Sequence, residues 1–258
     1  MARQKNGEKR NGISAATIAL VLLEAFALFS VVTFASTAKW EKVALAAATV
    51  PLLLWPYLAQ MLLRARFADG LLIGLMLFSL GPVLGHSYQL YYSIPLWDSI
   101  LHTASGVLFA CVGFYFPVLA NQNTNTHSRP PQYGPPSRLL QYAFAVCFAF
   151  FSAAVWEFFE FGSDMLFHTD MQNDTVIHGF TSYMLGGAVG ETGSISSITH
   201  VVIDGRELGL GGYLDIGLVD TMKDMLVCAL GAVLFCLGEA WNRGRRKAIQ
   251  PRTPAPGQ

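Results

Sequence analysis

The residues best suited to chemistry in this chain begin with an acidic triplet at the end of a long apolar run. Glu157, Glu160 and Asp164 stand at positions i, i+3 and i+7. On a helix of 3.6 residues per turn, these three side chains share one face. Carboxylates in such a row can bind a divalent cation, share protons or pair with cationic side chains.

Two further pairs of polar residues have the same regular spacing. Asp98 and His102 are four residues apart, and so are Asp220 and Asp224. Each pair stands near the start of an apolar segment, so each is predicted to lie on one helix face close to a membrane boundary. If the three helix ends lie on one side of the membrane, seven candidate metal ligands converge at one depth: Asp98, His102, Glu157, Glu160, Asp164, Asp220 and Asp224.

A purely structural interpretation competes with the chemical one. Acids are favoured at helix N-termini, which accounts for Asp98 and Asp215, and Lys223 can neutralise one carboxylate. The triplet, however, is predicted at a helix C-terminus, where the helix dipole disfavours acids. Three resolutions fit the sequence: shared protons, a divalent cation, or burial against Lys223 and His102.

In the metal interpretation, the donor set indicates which ions would bind. Oxygen-rich sites favour Mg²⁺, Mn²⁺ or Ca²⁺, and His102 adds Zn²⁺ to the candidates. Glu157, Asp98 and His102 are then the candidate catalytic residues, with one carboxylate as general base. Gly231 and Gly106 recur on the same faces as the acidic pairs and predict close helix packing beneath the site.

The elements that must position these residues are membrane-spanning helices. Of the 258 residues, 53% are hydrophobic and only 13% are charged. Six segments are long enough to cross roughly 30 Å of hydrocarbon at about 20 residues each. They lie near residues 13–37, 43–63, 71–88, 96–120, 139–161 and 214–241. The predicted fold is therefore all-α, a polytopic membrane bundle of about six transmembrane helices.

The distribution of Lys and Arg predicts the orientation of this bundle. If the N-terminus is inside, the predicted cytoplasmic segments collect most of the 17 Lys and Arg residues. The outer side keeps only Lys39, Lys42, Arg206 and Lys223. Both termini are thus predicted to be cytoplasmic, following the positive-inside rule. The formal net charge is zero, and no basic patch suggests nucleic acid as a partner.

The remaining segments complete the predicted organisation. The stretch 164–213 is too long for a simple connection and predicts a small extracytoplasmic cap or lid, in which Asp204 and Gly205 indicate a β-hairpin. The predicted parts are a basic cytoplasmic tail at 1–12, helices 1 to 5 at 13–163 with a flexible cytoplasmic loop at 121–137, the cap at 164–213, helix 6 with its basic end at 214–247, and a disordered tail at 248–258.

Three sequence blocks resemble a known group of bacterial proteins. They are Asp98-Ser99-Ile100-Leu101-His102, Glu157-Phe158-Phe159-Glu160, and Asp220-Thr221-Met222-Lys223-Asp224 followed by Gly231-Ala232. Together they are similar to the blocks of YjdF-like and VanZ-like integral membrane proteins, and the second and third are closer to the YjdF-like pattern. The resemblance implies a multi-pass protein of the bacterial inner membrane. VanZ-like members are linked to glycopeptide-type antibiotic resistance, which implies action at the outer envelope.

Three functional hypotheses follow from these observations. The first is a metal-dependent hydrolase or transferase that acts on a lipid or lipid-linked envelope substrate, with the lipid bilayer as its surroundings. The second is a proton- or cation-coupled transporter, in which Glu24 continues the path across the membrane. The third is a non-catalytic envelope or antibiotic-resistance protein whose acidic cluster only holds helices together.

Overall fold

The computed structural model describes residues 13–125 and 134–249, and this part of the chain is mostly helical. The predicted tail at 1–12, the last nine residues and the middle of the predicted loop at 121–137 lie outside the described residues. In chain order the α-helices are α1 Ala15–Ser36, α2 Trp40–Leu52, α3 Trp55–Leu63, α4 Asp69–Ser79, α5 Leu90–Ser93, α6 Trp97–Asn125, α7 Arg138–Phe167 and α8 Leu218–Ile249.

Five helical segments among the described residues are long and apolar enough to cross a membrane. They are Ala15–Ser36, Trp40–Leu63, Trp97–Gln122, Arg138–Phe167 and Leu218–Arg246. The chain is therefore a multi-pass helical membrane protein, as its composition predicts. The second of these segments joins α2 and α3, and it bends after Pro51, because proline cannot donate a backbone hydrogen bond and displaces the preceding turn.

The segment predicted as the third span, residues 71–88, has a less regular structure. The short helix α4 ends at Ser79, Gly81 and Pro82 follow, and a π-helical turn occupies Val83–Ser87. This segment runs alongside α1. The backbone N–H of Ala15 donates to Asp69 at one end, and the Ser30 hydroxyl lies 2.9 Å from the Tyr88 hydroxyl towards the other.

The helices form two packs with separate apolar cores. In the first, α1 and α4 bury Ala27, Leu72 and Met76 against α2. In the second, α6, α7 and α8 bury Phe114 and Ala149, among others. The packs meet along α4 and α6, where Gly74 and Gly81 lie against leucine side chains of α6.

Short antiparallel strands occupy the connection between α7 and α8. Strands β1 (Thr175–Ile177) and β6 (Tyr213–Asp215) pair near the two ends of this connection. The segment that leaves α7 therefore lies beside the segment that leads into α8. Strands β2 (Gly179–Ser182) and β3 (Gly193–Ser196) form a second pair. The third pair, β4 (Val202–Ile203) and β5 (Arg206–Glu207), is a hairpin.

The turn of this hairpin has the backbone conformation that the sequence predicts. Asp204 and Gly205 have φ values of 49° and 79°, both in the left-handed region. Two such residues in succession are typical of a tight hairpin turn, and Asp-Gly is one of the few dipeptides that adopts it readily. The predicted β-hairpin is confirmed at these two residues.

Candidate functional site

Three polar side chains from two helices come together near the start of α6. The Nε2 atom of His102 lies 3.6 Å from Asp98 Oδ1, one helical turn earlier on α6, and 3.6 Å from Asp224 Oδ2 on α8. One ligand atom from each residue lies within 4.8 Å of the other two. Asp224 is 1% exposed and His102 is 7% exposed, so the group is removed from bulk solvent.

Glycine residues on α6 and α8 allow the two helices to approach closely enough for these side chains to meet. A Cβ atom placed on Gly106 would lie 2.1 Å from the carbonyl oxygen of Cys228, and one on Gly231 would lie 2.1 Å from that of Thr103. Neither position accepts a side chain, so the backbones of α6 and α8 are in direct contact. The close packing predicted from Gly106 and Gly231 is confirmed. Beside it, the Ser105 hydroxyl lies 3.8 Å from the Cys228 sulfur.

Lys223 supplies positive charge at the edge of the cluster. Its Nζ atom lies 2.6 Å from Asp220 Oδ1, 3.7 Å from Asp224 Oδ1 and 3.8 Å from Asp98 Oδ2. Only the first of these is a hydrogen bond; the other two are longer ion-pair contacts. The Lys223 side chain is 46% exposed, so it stands between the buried acids and the outside.

Helix α7 contributes two buried glutamates from the sequence triplet. Both Glu157 and Glu160 are 6% exposed, whereas Phe158 and Phe159 between them point outward. The indole N–H of Trp156 donates to Glu160 Oε1 at 2.8 Å. Neither carboxylate oxygen of Glu157 completes a well-formed hydrogen bond among the described residues, although the Thr221 hydroxyl and the Gln172 side-chain amide lie close enough to interact with it.

Asp164, the third member of the triplet, is engaged by the chain that follows α7. Its Oδ1 atom accepts hydrogen bonds from the Thr169 hydroxyl and the Met171 backbone N–H, both at 2.7 Å. Its Oδ2 atom accepts from the Gln172 backbone N–H at 2.9 Å. The helix ends at His168, whose φ of 56° reverses the chain direction and lets the loop fold back onto this carboxylate.

The same loop is tied to the start of α8. Asp220 Oδ2 accepts from the backbone N–H of Asn173 at 3.0 Å and from its side-chain amide at 3.3 Å. The side-chain amide of Gln172 donates to the Thr221 hydroxyl at 2.6 Å. Asp164 and Asp220 therefore anchor residues 169–173 across the ends of α7 and α8, next to the buried glutamates.

Tyr91 belongs to this region, although its sequence context suggests only an interfacial aromatic belt. Burial, and then the charges of Asp98, Glu160, Asp224 and Asp220, raise the pKa of its phenol well above the ordinary value. Its ring packs against Gly85, where a Cβ atom would lie 2.3 Å from the ring. No spacing rule links Tyr91 to the acidic pairs, because the short helix α5 and the turn after it decide where the phenol lies.

The charges of the cluster do not balance internally. Asp98, Asp220, Asp224, Glu157 and Glu160 are five carboxylates, whereas Lys223 and a protonated His102 supply two positive charges. Asp98 Oδ2 and Asp224 Oδ1 lack a well-formed hydrogen bond among the described residues and have only the long ion-pair contacts to Lys223, at 3.8 Å and 3.7 Å. Two positive charges leave three of the five carboxylates without a counter-charge, and buried charge of this kind is costly, so the arrangement favours bound protons or a further cation.

The two distances from His102 are compatible with metal coordination. For an ion about 2.1 Å from each of two ligand atoms, a separation of 3.6 Å corresponds to a ligand–metal–ligand angle of about 120°, near the tetrahedral range. One histidine and two carboxylates from facing helices form a donor set of the kind that helix bundles use for metals. The same groups can also exchange protons through His102.

Comparison with known proteins assigns the chain to a family. Residues 16–244 match the family described as predicted membrane protein, DUF2238. The chain belongs to this family. The match includes α6, α7, α8 up to residue 244, and every residue of the cluster. No curated protein and no solved structure matches the chain.

Proposed function

We propose that the protein is a metal-dependent membrane enzyme, a hydrolase or transferase that acts on a lipid or lipid-linked substrate. The observation that carries this proposal is the grouping of Asp98, His102 and Asp224, whose ligand atoms lie within 4.8 Å of one another. Bound there, a divalent cation would polarise a phosphoryl or carbonyl oxygen and lower the pKa of a bound water.

Residues around the proposed metal ligands are assigned three further roles: general base, attraction of a charged headgroup, and attachment of the cap. Glu157 has two buried oxygens without a well-formed hydrogen bond, lies close enough to Asp98 and Asp220 to interact with their charges, and is the proposed general base. Lys223 is half exposed at the mouth of the cluster and is placed to attract a negatively charged headgroup. Asp164 and Asp220 hold residues 169–173 across the helix ends, which supports a role for the segment 164–213 as a cap over the site.

An apolar approach to the cluster supports a lipid substrate. An open groove of about 420 Å³ runs along α6 at the level of Asp98 and His102, on a face to which neither of these two residues contributes. It is lined by Leu96, Ser99, Ile100, Thr103 and Ala104. A chain lying in this groove would put its polar end at the level of the acidic residues. The outward faces of Phe158 and Phe159 on α7 extend the apolar surroundings.

The proposal includes the number of membrane spans and the side of the membrane on which the cluster lies. The segment from Asp69 to Tyr88 follows α1 from its first residue to beyond its middle, which supports this segment as a sixth, irregular span. Six spans put the cluster and the cap on the side opposite the basic ends of the helices, and hence outside the cytoplasm. The resemblance to YjdF-like and VanZ-like proteins suggests the bacterial inner membrane, with both termini cytoplasmic.

Metal analysis of the purified full-length protein tests the proposal. The protein is chelated, reloaded separately with Mg²⁺, Mn²⁺, Ca²⁺ or Zn²⁺, and analysed by inductively coupled plasma mass spectrometry. We expect near-stoichiometric retention of one of these metals by the wild type, and its loss in Asp224→Asn and His102→Gln. The matched control is Asp204→Asn, which removes a distant carboxylate from the hairpin turn. Retention of metal by both site variants would refute the ligand assignment.

The second candidate is a proton- or cation-coupled transporter. It is favoured by Lys223, which lies within 3.8 Å of three carboxylates and already supplies a cation to the cluster. Glu24, the acid predicted to continue such a path, lies on α1, in the other helix pack. If the wild type retains no metal, proton flux in proteoliposomes, compared between wild type and Glu157→Gln, becomes the deciding measurement.

A further inference from the structure

A second cavity, of about 520 Å³, lies between the two helix packs. The turn before α4, the first turn of α4, residues 107–119 of α6 and one residue of α8 line it: Ala65, Arg66, Phe67, Ala68, Leu71, Val107, Leu108, Cys111, Val112, Tyr115, Leu119 and Phe235. Tyr115 is 17 residues beyond Asp98 on α6, or roughly 25 Å along the helix axis. This cavity is therefore separate from the acidic cluster and lies towards the opposite end of the bundle.

The lining of the cavity is suited to a phospholipid, because it combines an apolar surface with one positively charged side chain. Its walls are apolar, and among the described residues Arg66 is the one charged residue that contributes to them. The Arg66 side chain is exposed, and among residues 13–122 and 134–246 no carboxylate lies within 4 Å of its guanidinium. The turn that carries it is fixed, because the backbone N–H of Phe67 donates to the side chain of Gln60 at 2.7 Å.

We infer that this cavity binds an acyl chain of an anionic phospholipid, with the lipid phosphate at Arg66. The cavity volume is within the range of about 300–1,000 Å³ that is usual for bound small molecules. A basic residue at the mouth of an apolar cavity between transmembrane helices suits the negatively charged lipids of the cytoplasmic leaflet. The distribution of Lys and Arg predicts that leaflet for Arg66, independently of the cavity.

Because the cavity lies between the two helix packs, a lipid bound there would contact both of them. Phe67 packs against the core of the first helix pack and Leu71 lies on α4 of that pack, whereas Leu108 and Val112 lie on α6 of the second. An acyl chain between them contacts both packs at a place where they are not in contact with each other. The bound lipid therefore adds apolar contact to an interface in which α4 and α6 touch through small residues such as Gly74.

Native mass spectrometry of the detergent-purified full chain tests this inference. Phosphatidylglycerol and phosphatidylcholine with identical acyl chains are added in competition. We expect about a fivefold preference for phosphatidylglycerol, which corresponds to the ~1 kcal/mol that one cationic side chain contributes with anionic lipid. Arg66→Gln should remove the preference. Arg64→Gln, two residues away and outside the cavity lining, should retain it.

A cavity-filling variant tests where the acyl chain lies. Ala68→Trp should reduce binding of both lipids, because the indole occupies the space between the packs. Cys111→Phe fills the same cavity from α6 and serves if Ala68→Trp fails to fold. In the wild type, a phosphatidylglycerol with a diazirine in its acyl chain should label peptides containing Val107, Leu108 or Cys111.

Several results would overturn the inference. Equal binding of the two lipids, or an equal effect of Arg64→Gln and Arg66→Gln, would mean that Arg66 is an ordinary boundary arginine whose stem lies along apolar surface. Undiminished binding to both filled variants, or labelling outside the cavity, would place the lipid elsewhere. Asp224→Asn should bind lipid as the wild type does, so this test is independent of the metal proposal.

Discussion

The carboxylate of Asp224 on α8 lies 3.6 Å from the imidazole Nε2 atom of His102 on α6, and both side chains are buried. The two residues are 122 positions apart in the chain, so only the packing of α8 on α6 can create this contact. It rests on two glycines, Gly106 and Gly231, at which the helix backbones touch. The chemistry of the cluster therefore depends on helix packing as much as on the polar residues.

Gly231→Ala should separate α6 from α8 and weaken the cluster. The added methyl group would lie 2.1 Å from the Thr103 carbonyl oxygen, so the helices must move apart. We expect a loss of about 1–3 kcal/mol in the free energy of unfolding, together with weaker metal retention. Thermal unfolding in detergent measures the first effect. Gly238→Ala, on the same helix with no neighbour within 4 Å, is the control and should leave stability unchanged or slightly higher.

Glu157→Gln should stabilise the fold while abolishing function. Both oxygens of Glu157 are buried without a well-formed hydrogen bond, although the Thr221 hydroxyl and the Gln172 amide lie nearby, and a neutral amide avoids much of the desolvation cost of a carboxylate. We expect an increase of about 1 kcal/mol or more in the free energy of unfolding, which thermal unfolding would detect. Glu160→Gln serves for comparison, because Glu160 accepts a hydrogen bond from Trp156. A destabilised Glu157→Gln variant would indicate that this carboxylate holds the helices together.

Asp164→Asn should loosen the loop after α7 without removing metal. The Asp164 carboxylate accepts three hydrogen bonds from residues 169–172, and hydrogen bonds to a charged acceptor contribute about 1.5–3 kcal/mol each. Amide hydrogen exchange at Met171 and Gln172 should become faster. Loss of metal from this variant, with unchanged exchange at these amides, would instead support Asp164 as a direct ligand.

Because of Tyr91, the free energy of unfolding should depend on pH in the alkaline range. Burial and then the nearby carboxylates raise the pKa of its phenol above the ordinary value of 10.0, so the folded protein favours the neutral phenol. The stabilising contribution is complete below the unfolded pKa and is lost as pH rises above it. The stability of the wild type relative to Tyr91→Phe should therefore fall as pH rises through about 10. A pH-independent difference between the two would show that the phenol is solvated.

Cysteine labelling should show which side of the membrane each end of the helix bundle faces. In a background in which all four native cysteines are replaced, Asp204→Cys in the hairpin should react with a membrane-impermeant maleimide on intact cells. Gly134→Cys, just before α7, should react only after the membrane is permeabilised. With a cytoplasmic N-terminus, six spans require this result, whereas five spans would put Gly134 outside and Asp204 inside. Reaction of Gly134→Cys but not of Asp204→Cys on intact cells would therefore contradict the proposed topology.

The sequence by itself determined that long apolar helices dominate the fold, and it determined the helix faces on which the acids lie; the irregular segment at 71–88 was not predicted. Long apolar runs must become helices in a bilayer, because backbone groups there have no other hydrogen-bond partners. A spacing of four residues then places Asp98 with His102, and Asp220 with Asp224, whatever the helices contact. The Asp204-Gly205 turn is equally local, and the sequence predicts it without reference to the rest of the chain.

Only the tertiary structure decided which of these residues share a site. Helical periodicity sets the direction of a side chain around its own axis, but the depth and rotation of one helix against another depend on contacts such as those at Gly106 and Gly231. For this reason the structure brings Asp224 to His102, engages Asp164 with the following loop, and places Tyr91 near the acids. Each of these contacts joins residues whose separation in sequence carries no periodic signal.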